Sequence, residues 1–143
     1  MEYWIKFDLE KVKELKQIYE NAMLAIKEAL PNVKLNSRKE IINFFQDNLN
    51  IPLQTNRIRD IEGYLQRYRD SDPEYEIILG IVYYYKLHYS IKNYLDCIIK
   101  NNVNGVVELR DWFGPCMPNR QPLMASPEIQ ATIIEHSGNI TLP

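Results

Sequence analysis

The sequence predicts a mainly α fold: a bundle of helices around one long helix, followed by a small C-terminal part made of strands and loops. Three observations predict it. Between residues 73 and 101 the only glycine or proline after Pro73 is Gly80, and apolar residues recur there at spacings of three and four. Shorter stretches with the same spacing precede this segment. After it, four prolines fall within thirteen residues, which indicates loops or edge structure.

The N-terminal stretch opens with residues 3–7, which alternate apolar and polar side chains. This alternation fits either a short strand or an extended lead-in. Asp8 is expected to cap a first helix over residues 9–30, and Pro31 ends it. One apolar stripe is predicted to run along this helix, formed by Leu9, Val12, Leu15, Ile18, Ala22, Ala25, Ile26 and Ala29.

The second helix has the clearest start in the sequence. Ser37 and Glu40 have the spacing of a capping box, in which each side chain satisfies a free backbone N–H group. Residues 51–53, Ile-Pro-Leu, are expected to close this helix. Its predicted buried face consists of Ile41, Ile42, Phe44, Phe45 and Leu49.

A third helix is predicted over residues 56–68, with Thr55 as its cap and with Ile58, Ile61, Leu65 and Tyr68 facing inward. Several arginines lie on or near its polar face. The simplest interpretation is a solvated face whose positive charge is balanced by neighbouring carboxylates. The arginines are Arg57, Arg59, Arg67 and Arg69, and the carboxylates are Asp60, Glu62 and Asp70.

The long helix is expected to start at Pro73, with Asp72 accepting hydrogen bonds from the first turn. Asparagines at 101 and 102, followed by Asn104-Gly105, suit a left-handed exit and a turn. The apolar face of this helix is predicted to pack against the stripe of the first helix. Its opposite face carries Lys86, His88, Lys92 and Lys100.

The C-terminal part is predicted to begin with a strand over residues 106–112, after the Asn-Gly turn. Ser126-Pro127-Glu128 resembles a helix start, with Ile129, Ile133 and Ile134 following, and residues 140–142 form a possible last strand. The predicted division is therefore a helical region over residues 1–102 and a strand and loop segment over residues 103–143.

Composition excludes several classes of protein. The formal net charge is −2, no run of eighteen apolar residues exists, and the start is unlike a signal peptide, so a cytoplasmic location is expected. Cys97 and Cys116 are then expected to be reduced, and with His88 and His136 they lack the spacing of metal ligands. Gly-rich phosphate loops, HExxH and CxxC motifs are absent, so no self-contained active site is predicted.

The order of several motifs resembles the thumb of family A DNA polymerases. Residues 35–40, Leu-Asn-Ser-Arg-Lys-Glu, are similar to that family's Leu-Asn-Ser-(Arg/Pro)-(Lys/Asp)-Gln helix start. Residues 49–53, Leu-Asn-Ile-Pro-Leu, are similar to its Leu-Gly-(Leu/Ile)-Pro turn, and Thr55 matches the cap that follows. Residues 91–96, Ile-Lys-Asn-Tyr-Leu-Asp, resemble the end of the family's long thumb helix, although they are one residue shorter.

The resemblance continues into the start of the palm. Asn104-Gly105 echoes the family's strand start, and residues 118–120 and 127–130 fall at spacings similar to its palm-opening segment. Asn119 stands where the family has Gly, Glu128 where it has Asn, and residues 131–133 replace its Asn-Ile-Pro. The catalytic aspartates of the family lie further along than this chain extends.

The resemblance implies a fragment or split piece of such a polymerase, which grips the backbone of duplex primer-template DNA without reading sequence and is inactive by itself. No cofactor is implied for this chain, since Mg²⁺ is expected only in a complete polymerase. The remaining palm and fingers polypeptide is an implied second partner, and no membrane partner is expected. The implied DNA-contacting residues are Asn36, Ser37, Arg38, Thr55, Lys86, Lys92, Asn93, Arg120 and Gln130.

Two other hypotheses remain open at this stage. The chain could be a free-standing helical module that binds protein and has no DNA role, or a small enzyme whose site is built from distant residues. A basic groove joining Arg38, Lys92 and Arg120 would favour DNA, whereas acidic or apolar patches there would favour a protein partner.

Overall fold

The computed structural model describes residues 4–55, 57–108 and 126–137. The chain forms two compact units. The helical unit comprises residues 21–87, and the sheet unit comprises residues up to 20 together with residues from 88 onward. The described residues are mostly helical and include one three-stranded sheet, so the predicted mainly α fold class is confirmed. Within the described ranges, no helix has both the length and the apolar character that a membrane span needs.

The described helices are α1 (Leu9–Ala29), α2 (Arg38–Leu49), α3 (Ile58–Gly63), α4 (Pro73–Ser90), α5 (Asp96–Asn101) and α6 (Pro127–Gln130). The described strands are β1 (Trp4–Phe7), β2 (Val106–Glu108) and β3 (Ile133–His136). A 3-10 segment, Tyr64–Arg67, follows α3, and a π-helical segment, Ile91–Leu95, joins α4 to α5. The sequence left two possibilities open for residues 3–7, a short strand and an extended lead-in. The structure has a strand over Trp4–Phe7.

The predicted long helix is present, since α4, the π segment and α5 are helical from residue 73 to residue 101. Its ends differ from the prediction. The Asp72 carboxylate accepts the Arg69 N–H at 2.9 Å instead of capping the first turn. At the other end Asn102 is extended, and its side-chain amide donates to the Ile98 and Ile99 carbonyls. The Ile98 carbonyl also accepts the Asn102 backbone N–H, so the bond to the Ile99 carbonyl is the one that satisfies a group the last turn leaves free.

The left-handed turn lies just beyond the helix. Asn104 and Gly105 have φ values of 53° and 86°, and Val103 and Val106 exchange both backbone hydrogen bonds around them. Positive φ at both central residues is typical of a type I′ turn, which suits the twist of the strands it joins. A Cβ on Gly105 would lie 2.9 Å from the Phe7 carbonyl oxygen, so only glycine fits where β2 meets β1.

The helical unit has one apolar core. The buried face of α4, with Ile78 and Ile81 fully enclosed, packs there with Ile41 and Phe45 of α2 and with Ile61 of α3. The second half of α1 packs against the same core. The contributing side chains of α1 are Met23 and Ile26.

The predicted packing of the long helix against α1 is therefore confirmed in the helical unit. The continuous stripe along α1 is not. Ile18 is 60% exposed, Ala25 and Ala29 are also exposed, and Val12 is the one fully buried member of α1. A helix whose two halves serve different units does not need one continuous apolar face.

The third helix is shorter than predicted. It begins after Arg57, has no side-chain cap, and gives way to 3-10 geometry after Gly63. Thr55 does not cap it, because the helix starts later than predicted and Arg57 occupies the N-cap position. Ile61 is buried, while the other three predicted inward residues are half-buried.

The sheet has the strand order β2-β1-β3, and both pairs are antiparallel. Ile5 lies opposite Val107 on one side and His136 on the other. Ser126 caps α6 as predicted, with its hydroxyl accepting the Ile129 N–H at 3.4 Å. The predicted continuation of this helix through Ile133 is wrong, since β3 begins there. The predicted strand residues 109–112 and 140–142 lie outside the described residues.

The thiol prediction also needs correction. Cys97 is buried and disulfide-bonded, so it is not the reduced thiol that the sequence predicted. His88 is exposed, and the His136 ring lies 2.8 Å from the Ser137 carbonyl oxygen through Nδ1. Across residues 4–55, 57–108 and 126–137, no three metal-ligating side chains come together.

The core position of Ile81 predicts a large mutational effect. Ile81→Asp should lower the free energy of unfolding by about 4 kcal/mol or more, because it places an unpaired charge in a fully enclosed site. The matched control is Tyr83→Asp on the exposed side of α4, which should cost about 1 kcal/mol or less. Equal costs in urea titrations would contradict the burial of this face.

Two glycines with helical backbone geometry are expected to respond differently to an added methyl group. Gly63 has α-helical φ and ψ, and an added Cβ would meet nothing within 4 Å, so Gly63→Ala should stabilise by about 0.5–1 kcal/mol. At Gly80 the added Cβ would lie 3.2 Å from the Cδ1 atom of Leu30.

Gly80→Ala should therefore gain less than Gly63→Ala, and Gly80→Val should destabilise by about 1–3 kcal/mol through overpacking against α1. Thermal melts of the three variants test this order. A stabilising Gly80→Val would show that α1 and α4 are not in close contact at this point.

Candidate nucleic-acid interface

A single serine, Ser37, caps the N-terminus of α2. Ser37 is extended, with φ −117° and ψ 119°, and its hydroxyl accepts the Glu40 N–H at 3.3 Å. This confirms the serine half of the predicted capping box. The other half is replaced by a turn, because the Ser37 N–H donates to the Lys34 carbonyl at 3.2 Å. Within the described residues, no group accepts the N–H of Arg38 or Lys39, which leaves two donors at the positive end of the helix dipole.

Two tyrosines of α4 hold the loop that leads into α2. The Tyr84 hydroxyl donates to the Asn36 side-chain oxygen at 2.9 Å, and the Tyr85 hydroxyl donates to the Leu35 carbonyl at 3.5 Å. The Tyr84 ring is buried in the core of the helical unit. Asn36 is therefore exposed to solvent but fixed in position by the core. Its amide N–H₂ is left as a donor among the described residues.

Positive charge gathers around this point. The ammonium group of Lys27 lies 6.0 Å from the centroid of the Tyr84 ring, which places it beside the tyrosine that bonds to Asn36. Lys34, Arg38 and Lys39 are exposed in the same stretch of chain. We call this group of five residues the α2 N-terminal patch. It consists of Lys27, Lys34, Asn36, Arg38 and Lys39.

The acidic neighbours of the patch are few. Glu28 is exposed on α1 next to Lys27, and Glu40 is half-buried in the first turn of α2. Among the described residues no ion pair joins either of them to a cation of the patch. Four cations against two carboxylates leave the patch positively charged, and the dipole of α2 adds to this field.

Two other predicted site residues of the helical unit have partners within the protein. The Lys86 ammonium group lies 2.9 Å from the Glu62 carboxylate, and both side chains are well exposed. The Thr55 hydroxyl donates to Asp60 and also accepts the Arg57 N–H at 3.5 Å. Solvent-exposed pairs of this kind contribute little to stability and exchange readily, so Lys86 can still follow a phosphate.

The remaining predicted site residues belong to the sheet unit or lie outside the description. Lys92 is exposed and Asn93 half-buried, and both belong to the π segment. Gln130 is the half-buried last residue of α6. Arg120 lies outside the described residues. The structure thus brings Asn36, Ser37 and Arg38 together on one helix start, while Lys92 and Asn93 form a separate pair.

Sequence reasoning missed three members of the patch. Lys34 and Lys39 flank the predicted Asn-Ser-Arg segment, so the cluster of cations in residues 34–39 was a signal that could have found them. Lys27 is assigned to the patch because its ammonium group lies near the Tyr84 ring, and Tyr84 is distant from Lys27 in sequence. No local pattern indicates that contact.

Two titratable groups of the sheet unit are perturbed, and neither belongs to the patch. A hydrogen bond to Asp96 raises the pKa of Lys16, whose ammonium group lies 2.6 Å from that carboxylate, although burial acts in the opposite direction. Burial also raises the pKa of Tyr19, against the effect of its hydrogen bond to Ser126. The arrangement around α2 is suited to binding an anion.

Comparisons of the chain with family models, with curated proteins and with solved structures gave no match. The resemblance to the thumb of family A DNA polymerases therefore stays a prediction.

Proposed function

We propose that this protein binds the backbone of duplex DNA through the α2 N-terminal patch, as the polymerase thumb that its sequence resembles would do. The observation that supports this most is the helix start itself. Two unused N–H donors and the Arg38 side chain lie beside an asparagine that Tyr84 holds in place. A helix N-terminus with adjacent cations is a favourable site for a phosphate group.

Binding of this type reads no sequence. The patch offers ammonium, guanidinium, amide and backbone N–H donors, all of which fit phosphate oxygens. Lys86, in the same unit as the patch, is proposed to contact this backbone as well. Lys92 and Asn93, in the sheet unit, are proposed as separate backbone contacts. Affinity is then mostly electrostatic and falls as salt rises. A cytoplasmic location and assembly with a separate palm and fingers polypeptide belong to the same proposal. The disulfide of Cys97 counts against that location, because disulfides are rare in the reducing cytosol.

The alternative is a protein-binding module. The observation in its favour is the exposure of large apolar side chains on helix surfaces, with Ile18 at 60%, Leu24 at 57% and Tyr83 at 54%. Scattered exposed apolar residues are common on soluble proteins, so this observation carries less weight than the positively charged helix start.

The DNA proposal predicts measurable but weak binding. In fluorescence anisotropy at low salt, the protein should bind a labelled duplex with a dissociation constant of about 10–100 μM. The double variant Arg38→Gln with Lys39→Gln should weaken binding and lower the slope of log K against log salt by about 1.8, which corresponds to two lost phosphate contacts.

The matched control keeps the charge and changes only the side chains. Arg38→Lys with Lys39→Arg should bind within about twofold of the unaltered protein, since the contacts are mainly electrostatic. Duplex binding that is absent at about 1 mM protein would favour the protein-binding module. Equal weakening by both double variants would contradict a mainly electrostatic contact.

The chain should have no nucleotidyl-transfer activity by itself. Polymerases use two metal ions about 4 Å apart, held by carboxylates that converge on the reacting phosphate. In the described ranges no group of three or more acidic, histidine or cysteine side chains could hold a metal ion. Of the acidic residues in the palm-like stretch, the sequence gives only Asp111 strand-end character, and it lies outside those ranges.

A primer-extension assay with magnesium and all four nucleotides should therefore give no product. Product that survives repeated purification and disappears in Asp111→Asn would contradict the thumb proposal and demand an active site in the palm-like stretch.

A further inference from the structure

A second group of cations lies away from the α2 N-terminal patch. An open cleft of about 670 Å³ lies between the loop after α2 and the segment formed by α3 and its 3-10 extension. We call it the arginine cleft. The lining residues that matter here are Thr55 from the loop, Arg59 and Asp60 from α3, and Tyr64 and Arg67 from the 3-10 segment.

The arginines of this segment are not neutralised in the way the sequence suggested. Of the three carboxylates expected to balance them, Glu62 pairs with Lys86. Asp60 accepts the Thr55 hydroxyl and keeps its negative charge, and neither Asp60 nor Asp70 forms an ion pair with an arginine among the described residues. Within the described residues neither Arg59 nor Arg67 forms an ion pair. Two exposed guanidinium groups against one carboxylate therefore leave the cleft with a net positive charge.

The local helix geometry fixes one of these arginines. In a 3-10 helix, residues three apart lie directly above one another, and Tyr64 and Arg67 have that spacing. The Arg67 guanidinium accordingly lies over the Tyr64 ring, 4.7 Å from its centroid. A guanidinium held on an aromatic ring keeps its N–H groups available at its edge and its outer face available for stacking.

We propose that the arginine cleft binds a nucleotide of an unpaired nucleic-acid strand. The phosphate is held by Arg59 and by the edge of Arg67, and the base stacks on the outer face of the Arg67–Tyr64 pair. Bases stack in this way on arginine and aromatic side chains only when they are splayed out of a duplex. A single strand can bend into a recessed cleft, whereas the backbone of a rigid duplex cannot.

This inference goes beyond the proposed function and does not depend on it. The lining of the arginine cleft begins after the C-terminal end of α2, whereas the α2 N-terminal patch lies around the start of that twelve-residue helix, which is about 18 Å long. The two sites use different side chains and are proposed to take different forms of nucleic acid. Each can therefore fail without the other.

The test uses a labelled thymidine oligonucleotide of about ten nucleotides, which has no duplex form. The double variant Arg59→Gln with Arg67→Gln should raise its dissociation constant at least about fivefold and lower the salt slope by about 1.4, for two phosphate contacts on a single strand. Arg69→Gln is the matched control, since Arg69 is exposed and near in sequence but does not line the cleft. It should change binding less than about twofold.

Two further variants separate the parts of the site. Tyr64→Leu should weaken oligonucleotide binding without changing the salt slope, because it removes the stacking platform and leaves both charges. Asp60→Asn should strengthen binding, because it removes the opposing carboxylate and keeps an oxygen for the Thr55 hydroxyl. Thermal melts of every variant establish that each is folded.

Side-chain NMR locates the contact directly. The Nε–Hε signals of Arg59 and Arg67 should shift on addition of the oligonucleotide, and Arg69 should not. Equal effects of the Arg69 and cleft variants would overturn the proposal. So would shifts produced as readily by inorganic phosphate, which would indicate a site for the free ion.

The duplex from the DNA-binding assay distinguishes the two proposals. If the cleft variant weakens duplex binding as much as the Arg38 and Lys39 variant does, the arginine cleft belongs to the duplex site and the single-strand proposal is wrong. If only the oligonucleotide is affected, the cleft proposal stands whatever the duplex result.

Discussion

The buried face of α4 is the constraint on which the helical unit depends. Ile78 and Ile81 are completely enclosed, and side chains from α1, α2 and α3 pack into the same core. Tyr84 belongs to this face, and its hydroxyl extends out of the core to Asn36. The interaction that stabilises the fold thus also sets the position of the loop that starts α2. Loss of core packing would be expected to loosen the candidate site as well.

Local signals predicted the helices well because their causes are local. Pro73 at a first turn, Ser37 at a cap and the spacing of apolar residues act within a few positions, so the limits of α2 and of the 73–101 helix follow from them. The Asn-Gly turn is equally local, because both residues accept the positive φ that a type I′ turn requires.

The failures have non-local causes. α6 ends after Gln130 because residues 133–136 pair with β1, which lies at the other end of the sequence, and an apolar pattern cannot show that pairing. Thr55 matches the pattern of a cap, yet the helix begins only at Ile58, with Arg57 in the cap position. The site shows the same limit. The Asn-Ser-Arg segment of the patch was visible in the sequence. The position of Lys27 beside the Tyr84 ring was not, because the two residues are distant in sequence. The ion pair of Glu62 with Lys86, which leaves the arginines of the cleft without that carboxylate, is also a non-local contact.

A net charge of −2 is compatible with two anion sites because charges act over short distances in salt. The Debye length is about 8 Å under physiological conditions, so a phosphate senses mainly the groups next to it. Local pairing then decides the sign of each surface. Glu62 is paired with Lys86, while Arg38, Arg59 and Arg67 have no carboxylate partner among the described residues. The arrangement of the carboxylates, more than their number, leaves these surfaces positive.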